Sequence, residues 1–243
     1  LDANAEGLER LAAAGMRGVR WNLVGGAPMP DLKAPSVQGL IAKLRALGLH
    51  LEIHLEGPAL APLLPALTDL GVDLVVDHFG LPSEPDASKD PLVRAVAGLA
   101  DREALFFKFA APYRRPFDIR PHGLALLNLL PPGHVVWGSD WPHTQHETRT
   151  SYAECQGQAA AWARCGLSDR RAATRLYGIG GDPAREWQEP RRQPPEHRKR
   201  RNVPCPNRRP GHESVRDRRN ASPWFRDILR SLPDCLRDRV PRP

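Results

Sequence analysis

Five short apolar runs, separated by stretches with helical spacing, constrain this chain more than any other feature. Met16–Asn22, Leu49–Leu55, Val72–His78, Leu105–Phe109 and His134–Ser139 read as strands. Leu8, Leu11 and Ala12 share one helical face that stops at Gly15. Ser36 is placed to N-cap a helix carrying Leu40, Ile41, Leu44 and Leu47, ended by Gly48. Pro58 to Leu70 reads as a helix ended by Gly71, and Asp90-Pro91 as the cap and first turn of a helix reaching Ala100. Further helices are expected over 118–130, 147–164 and 168–177. Strands alternating with helices are parallel and joined by right-handed crossovers. A doubly wound sheet and an eight-stranded barrel both satisfy this alternation locally.

The polar residues identify the working face in either architecture. Asn22, His54, Glu56, His78, Lys108 and Asp140 all fall at C-terminal strand ends, which a parallel sheet gathers on one side. The run His134-Val135-Val136-Trp137-Gly138-Ser139-Asp140-Trp141-Pro142-His143 delivers Asp140, Trp141 and His143 directly after a buried strand. A carboxylate there does not improve a core. It suits a general base that takes a proton from water, whereas its bland role is to cap the turn before Pro142. His78 suits metal ligation or polarisation of a carbonyl, against the alternative of a hydrogen-bonded packing residue. Its neighbour Asp77 is expected on the opposite strand face, in a structural role. Lys108 interrupts a strand of three Phe and must meet an anion or solvent. With Arg20, Tyr113 and Arg114 it points to an anionic substrate, while Arg115 reads as a solvated loop charge. No phosphate-binding Gly loop, nucleophile-elbow Ser or thiol–imidazole pair is present.

Charge is distributed unevenly. Residues 1–185 hold 19 Lys+Arg and 20 Asp+Glu, whereas residues 186–243 hold 16 and 8, so the formal +7 belongs entirely to the last segment. That segment also carries 10 of the 26 prolines and little apolar periodicity. It is expected to be mostly disordered over 188–243, following an ordered domain over 1–187. Its charge makes nucleic-acid binding a minor alternative and no reason to class the whole chain as a nucleic-acid binder. Cys155, Cys165, Cys205 and Cys235 form no close metal-ligand pair or disulfide framework, which makes a reducing cytoplasm the expected compartment. No apolar run is long enough to span a membrane.

Four motifs in order carry a family resemblance: Gly15-Met16-Arg17-Gly18-Val19-Arg20-Trp21-Asn22, Val75-Val76-Asp77-His78-Phe79-Gly80, Lys108-Phe109 with Tyr113-Arg114, and Trp137-Gly138-Ser139-Asp140-Trp141-Pro142-His143. Asp182-Pro183-Ala184-Arg185 looks like a fifth, closing motif. Together they resemble the amidohydrolase superfamily, in the branch containing 2-pyrone-4,6-dicarboxylate lactonase and sugar lactonases. The resemblance implies an α/β fold of the (β/α)8 TIM-barrel type, with the five strands matching the fourth to eighth. It implies hydrolysis of a carboxylated or sugar-derived lactone, Asp140 activating water and His78 contacting the carbonyl. Arg20 and Arg114 match positions that bind substrate carboxylates, and Asn22, His54, Lys108, Tyr113 and His143 complete the expected substrate contacts. The branch includes members that work without metal, while much of the superfamily uses one divalent ion (Zn or Mn), for which His78 and Asp140 are the expected ligands. The family's His-x-His pair has no match here. A partial barrel would leave unpaired edges at 16–22 and 134–139, from which self-association and weak activity are expected. A metal-dependent decarboxylase of the same superfamily and a non-catalytic fragment are the alternatives.

Overall fold

The computed structural model describes residues 5–167 and 170–179. The expected domain boundary, the basic segment 188–243 and the Asp182–Arg185 motif lie outside them. Helix α1 (Ala5–Ala13) leads into strand β1 (Gly18–Asn22). The chain then alternates through α2 (Pro35–Ala46), β2 (His50–His54), α3 (Gly57–Leu60), α4 (Leu64–Thr68), β3 (Leu74–Val76), α5 (Pro91–Gly98), β4 (Leu105–Phe109), α6 (Arg120–Leu129) and β5 (Val135–Trp137), and ends in α7 (Tyr152–Arg164) and α8 (Arg170–Tyr177). All five strands are parallel and stand in chain order, β1-β2-β3-β4-β5.

That order decides between the two architectures. A doubly wound sheet reverses its strand order once, which sends helices to both faces. Here no reversal occurs, so right-handed crossovers keep returning to the same face, as in a (β/α) barrel. The alternating side chains agree. Trp21, Leu51, Ile53, Leu74, Val76, Leu105, Phe107, Phe109 and Val135 belong to one core with Ile41 and Leu44 of α2, Val96 of α5 and Trp162 of α7. The opposite parity carries Arg20, Glu52 and Lys108, together with a separate small core of Val75, Phe106 and Val136. Helix α8 covers that small core with Ala172 and Leu176, and Arg175 ties it down through a 2.8 Å contact from its Nε to Asp73. Only the lower half of the inner face is therefore apolar.

Local departures from the expected elements have identifiable causes. Helix α2 is capped at Ala34 without a side-chain bond, because Pro35 takes the first helical position and Ser36 is already inside. The helix expected over 58–70 breaks into α3, a 3-10 turn at Ala61–Leu63 and α4, since Pro62 and Pro65 each remove a backbone donor. Helix α7 starts at Tyr152 rather than 147, fixed by a capping box between Ser151 and Glu154. The α5 cap is as expected. The fully buried Asp90 accepts from the amides of Leu92 (3.0 Å) and Val93 (3.1 Å), and also from Ser83 (2.9 Å) in the preceding loop. Asp90→Ala strands these buried donors at once. It should lower unfolding stability by about 2–4 kcal/mol, read as a reduced urea midpoint with unchanged m-value.

Candidate active site

The inner-face residues nearest the C-terminal strand ends form two charged groups joined by one imidazole. The first is a lattice of alternating sign. Arg20 Nε lies 3.0 Å from Glu52 Oε1, and its second nitrogen binds Asp77. Lys108 Nζ lies 2.6 Å from Glu52 Oε2 and 3.8 Å from Asp77 Oδ1. Asn22 and Arg20 both meet His54 Nδ1, at 3.0 and 2.9 Å. In the second group the Tyr113 hydroxyl donates to Asp140 Oδ2, and Arg114 adds two bonds to the same oxygen at 2.9 and 3.2 Å. His143 Nδ1 stands 3.2 Å from the Tyr113 hydroxyl. His78 links the groups, with Nδ1 3.4 Å from Asp77 and Nε2 3.6 Å from Asp140 Oδ1.

Backbone conformation brings this about. Strand β3 ends at Val76, two residues earlier than its apolar pattern suggests. Asp77 accepts from the His78 amide at 3.0 Å, and His78 adopts φ +49°. Asp77 keeps the inward parity of Val75, and the left-handed turn at His78 brings the next side chain to the same site. The expectation that Asp77 faces away is corrected on this ground. Among the described residues, seven non-glycine positions have positive φ: His78, Phe79 and Leu81 after β3, Ala111 after β4, and Asp140, His143 and Gln145 after β5. Left-handed backbone at bulky residues is costly and collects where a surrounding structure enforces it. Here it lies wholly in the loops that carry the site.

The electrostatics follow from burial and pairing. Burial raises the Asp140 pKa, but the Tyr113 hydroxyl, His78 and Arg114 outweigh it and hold the carboxyl below its ordinary range. Asp77 is lowered in the same way, burial being overcome by His78, Lys108 and Arg20. Burial keeps His78 neutral against the pull of Asp77 and Asp140. Burial, with repulsion from His78 and Arg20, pushes His54 down to about 4. Lys108 remains charged: burial lowers its pKa, but Asp77 and Glu52 raise it further.

Of the residues expected at the site, Arg20, Asn22, His54, His78, Lys108, Tyr113, Arg114, Asp140 and His143 are brought together. Glu56 is not, since it is half exposed and pairs with Arg115 at 2.8 Å. Arg115 is thereby a paired loop cation rather than a solvated one. Glu52 was not among the candidates. Its signal in the sequence was a carboxylate in the middle of an otherwise apolar strand, which a cation from a neighbouring strand must answer.

A metal site can be tested on the donor atoms. Among the described residues the grouping with ligand spacing is His54, Asp77 and His78, whose atoms lie within 4.8 Å of one another. The pair expected from the family, His78 with Asp140, is 3.6 Å apart but lacks a third ligand in that grouping. His54 Nε2 and His78 Nδ1 are buried without hydrogen-bond partners and belong to neutral rings, which suits ligation. The carboxylate does not suit it, because Asp77 is already held by Arg20, with Lys108 close by. Two free ligands are fewer than the three that a catalytic zinc uses. The residues as arranged do not fit a tightly held divalent ion.

A family model described as Amidohydrolase matches residues 1–178, and the chain belongs to that family. It is 31% identical to 2-pyrone-4,6-dicarboxylate hydrolase of Comamonas testosteroni, over 56% of this chain and 49% of that protein. It is 27% identical to D-galactarolactone isomerase of Agrobacterium fabrum, over 60% and 51%. A crystal structure of a probable 2-pyrone-4,6-dicarboxylic acid hydrolase from Acinetobacter baumannii, with citric acid bound, matches at TM-score 0.62 and 28% identity, covering 72% of this chain and 69% of that one. The chain spans about half the length of the curated relatives it matches. The family's members are TIM-type barrels, and the described residues form five consecutive parallel strands of such a barrel. No helix among the described residues is long and apolar enough to cross a membrane.

The His54 shift fixes a pH dependence of stability. In the unfolded chain the ring protonates near about 6.5, whereas in the fold it resists protonation down to about 4. The unfolded state therefore binds more protons in that window, and stability should fall as pH drops through it. His54→Gln should flatten this slope in urea denaturation series between those pH values.

Proposed function

We propose that this chain carries the water-activating and acid-binding part of a lactone hydrolase site. The observation that carries the reading is the division of labour on Asp140. Its Oδ2 is fully engaged by Tyr113 and Arg114, while Oδ1 faces only His78 at 3.6 Å. One oxygen fixes the carboxylate and the other is left to accept a proton.

The chemistry follows from that arrangement. A water beside Oδ1 loses a proton to Asp140 as its oxygen attacks the lactone carbonyl. His78, neutral and with Nε2–H turned to the carbonyl oxygen, donates to the developing oxyanion. The ring C–O bond then breaks, and the departing oxygen takes the proton back from Asp140. Arg114 on one side of His78, and Arg20 and Lys108 on the other, are the cations nearest the site, each also paired with one of its acids, and they can fork onto substrate carboxylates. Two relatives support this choice of substrate: one acts on a pyrone dicarboxylate, and another was crystallised with citric acid, a tricarboxylate. The galactarolactone isomerase relative also handles a lactone by name. Because the described residues offer fewer than three free ligands, the reaction proposed is metal-independent.

The test is hydrolysis of 2-pyrone-4,6-dicarboxylate and of sugar-acid lactones by the purified chain. Asp140→Asn should reduce kcat by about 10²–10⁴-fold with little change in KM. Arg114→Met should raise KM most for carboxylated lactones and, because it also frees Asp140, lower kcat for neutral ones as well. Dialysis against a chelator should leave the rate unchanged. Release of CO₂ together with a stoichiometric, rate-determining metal would replace this reading with a decarboxylase. A folded chain that hydrolyses no carboxylated lactone would remove it.

A further inference from the structure

Arg20 stands where a divalent ion would have to sit. His54, Asp77 and His78 gather their ligand atoms within 4.8 Å, and all three residues are buried. One terminal nitrogen of Arg20 reaches two of them at once: it lies 2.9 Å from His54 Nδ1 and donates to Asp77 Oδ2. The same side chain is anchored through Nε, 3.0 Å from Glu52 Oε1. A guanidinium only donates. His54 Nδ1 must therefore accept, and the proton of this neutral ring is confined to Nε2. Asn22 also stands 3.0 Å from Nδ1, but its amide can present either its oxygen or its NH₂ there, a choice Arg20 does not have. The ring that could otherwise ligate has thus spent its one lone pair on Arg20. Asp77 is spent as well. Its Oδ2 is held by Arg20, and its Oδ1 accepts from the His78 amide at 3.0 Å, with Lys108 Nζ at 3.8 Å.

We infer that the Arg20 guanidinium is a built-in substitute for a metal ion, and that His54, Asp77 and His78 form a latent site for one divalent ion of the zinc or cobalt type, closed by this one side chain. The donor chemistry fits once the guanidinium is gone. Two imidazoles and a carboxylate are a zinc donor set that leaves a fourth position open. With bonds of about 2.0–2.2 Å, donor atoms around a tetrahedral zinc stand about 3.4 Å apart, so groups now within 4.8 Å need to close by at most about 1.5 Å. Charge points the same way. Arg20 and Lys108 already balance Glu52 and Asp77, which leaves no negative charge for an ion to neutralise. Without Arg20, Lys108 stays on Glu52 at 2.6 Å, and Asp77 becomes a buried acid in want of a cation. One position thus decides between an organic and an inorganic cation.

Cobalt and zinc uptake by the full-length chain tests this without turnover, so its outcome is separate from that of the lactone assay. Arg20→Gln removes the charge but keeps a side chain able to hydrogen-bond Glu52 and Asp77. The variant should keep the wild-type circular dichroism spectrum and take up a single cobalt ion per chain more than wild type, with the visible absorption of four-coordinate cobalt. Zinc should raise its melting temperature more than that of wild type. Adding Asp77→Asn to Arg20→Gln should abolish the extra ion. A folded Arg20→Gln chain that takes up no more cobalt than wild type would overturn the inference. So would a wild type that already binds an ion which Asp77→Asn removes, because Arg20 would then exclude nothing. A second measurement needs no variant. Long-range proton–nitrogen correlation spectra of wild type should show His54 protonated at Nε2 and bare at Nδ1, unchanged by millimolar zinc. A proton on Nδ1 would mean that Arg20 does not use this lone pair, and the inference would fall on that result alone.

Discussion

The charge lattice on the inner face is the interaction on which the rest of the structure turns. Arg20, Glu52, Lys108 and Asp77 come from four adjacent strands or their ends, and each cation meets both acids. Removing one partner from a buried pair leaves an uncompensated charge, at a cost of about 3–5 kcal/mol. The lattice is thus a register device as well as a site. A two-residue slip of β4 against its neighbours would carry Lys108 away from Glu52 and Asp77 together. It also explains why the inner face divides. Apolar packing under α8 serves the lower half, and paired charge serves the upper half, at the C-terminal strand ends.

His78 derives its role from standing between two carboxylates. Alone, a buried neutral imidazole is a packing residue. Asp77 approaches one nitrogen of His78 at 3.4 Å and Asp140 the other at 3.6 Å, so the ring stands between two carboxylates. His54 packs edge-on against the same ring at 4.7 Å and restricts it to one plane. Tyr113 and Arg114 restrict Asp140 in turn. Each group proposed to react is therefore held by its neighbours, which is what positioning requires.

Much of this was legible in the residues. The five strands, their parallel sense and the gathering of polar strand ends followed from apolar periodicity, because burial of one face leaves little freedom of register. Lys108 among three phenylalanines announced a buried anion. Asp77 shares the inward parity of Val75, so it is His78 whose position departs from the strand pattern. The left-handed turn at His78, which the residue pattern does not announce, turns that side chain inward as well. Glu52 was passed over for Glu56, which sits at a more conventional strand-end position yet pairs with a loop arginine. The choice between barrel and doubly wound sheet depended on strand order, and local pattern does not encode order. The broken helix after β2 was an error of weighting: the hydrophobic spacing was correct, but two interior prolines overrule it.

The left-handed residues following β3, β4 and β5 have a consequence for how such a chain can change. Glycine would relax the backbone at Ala111 or Gln145 without steric cost, though it would also enlarge the unfolded ensemble. At His78 and Asp140 the same relief would delete the side chains proposed to react. Tension in these loops is thus unevenly negotiable. Drift toward greater robustness has routes open at the rim and none at the centre. A lineage released from selection for activity should lose its left-handed histidine and aspartate early, while keeping its sheet.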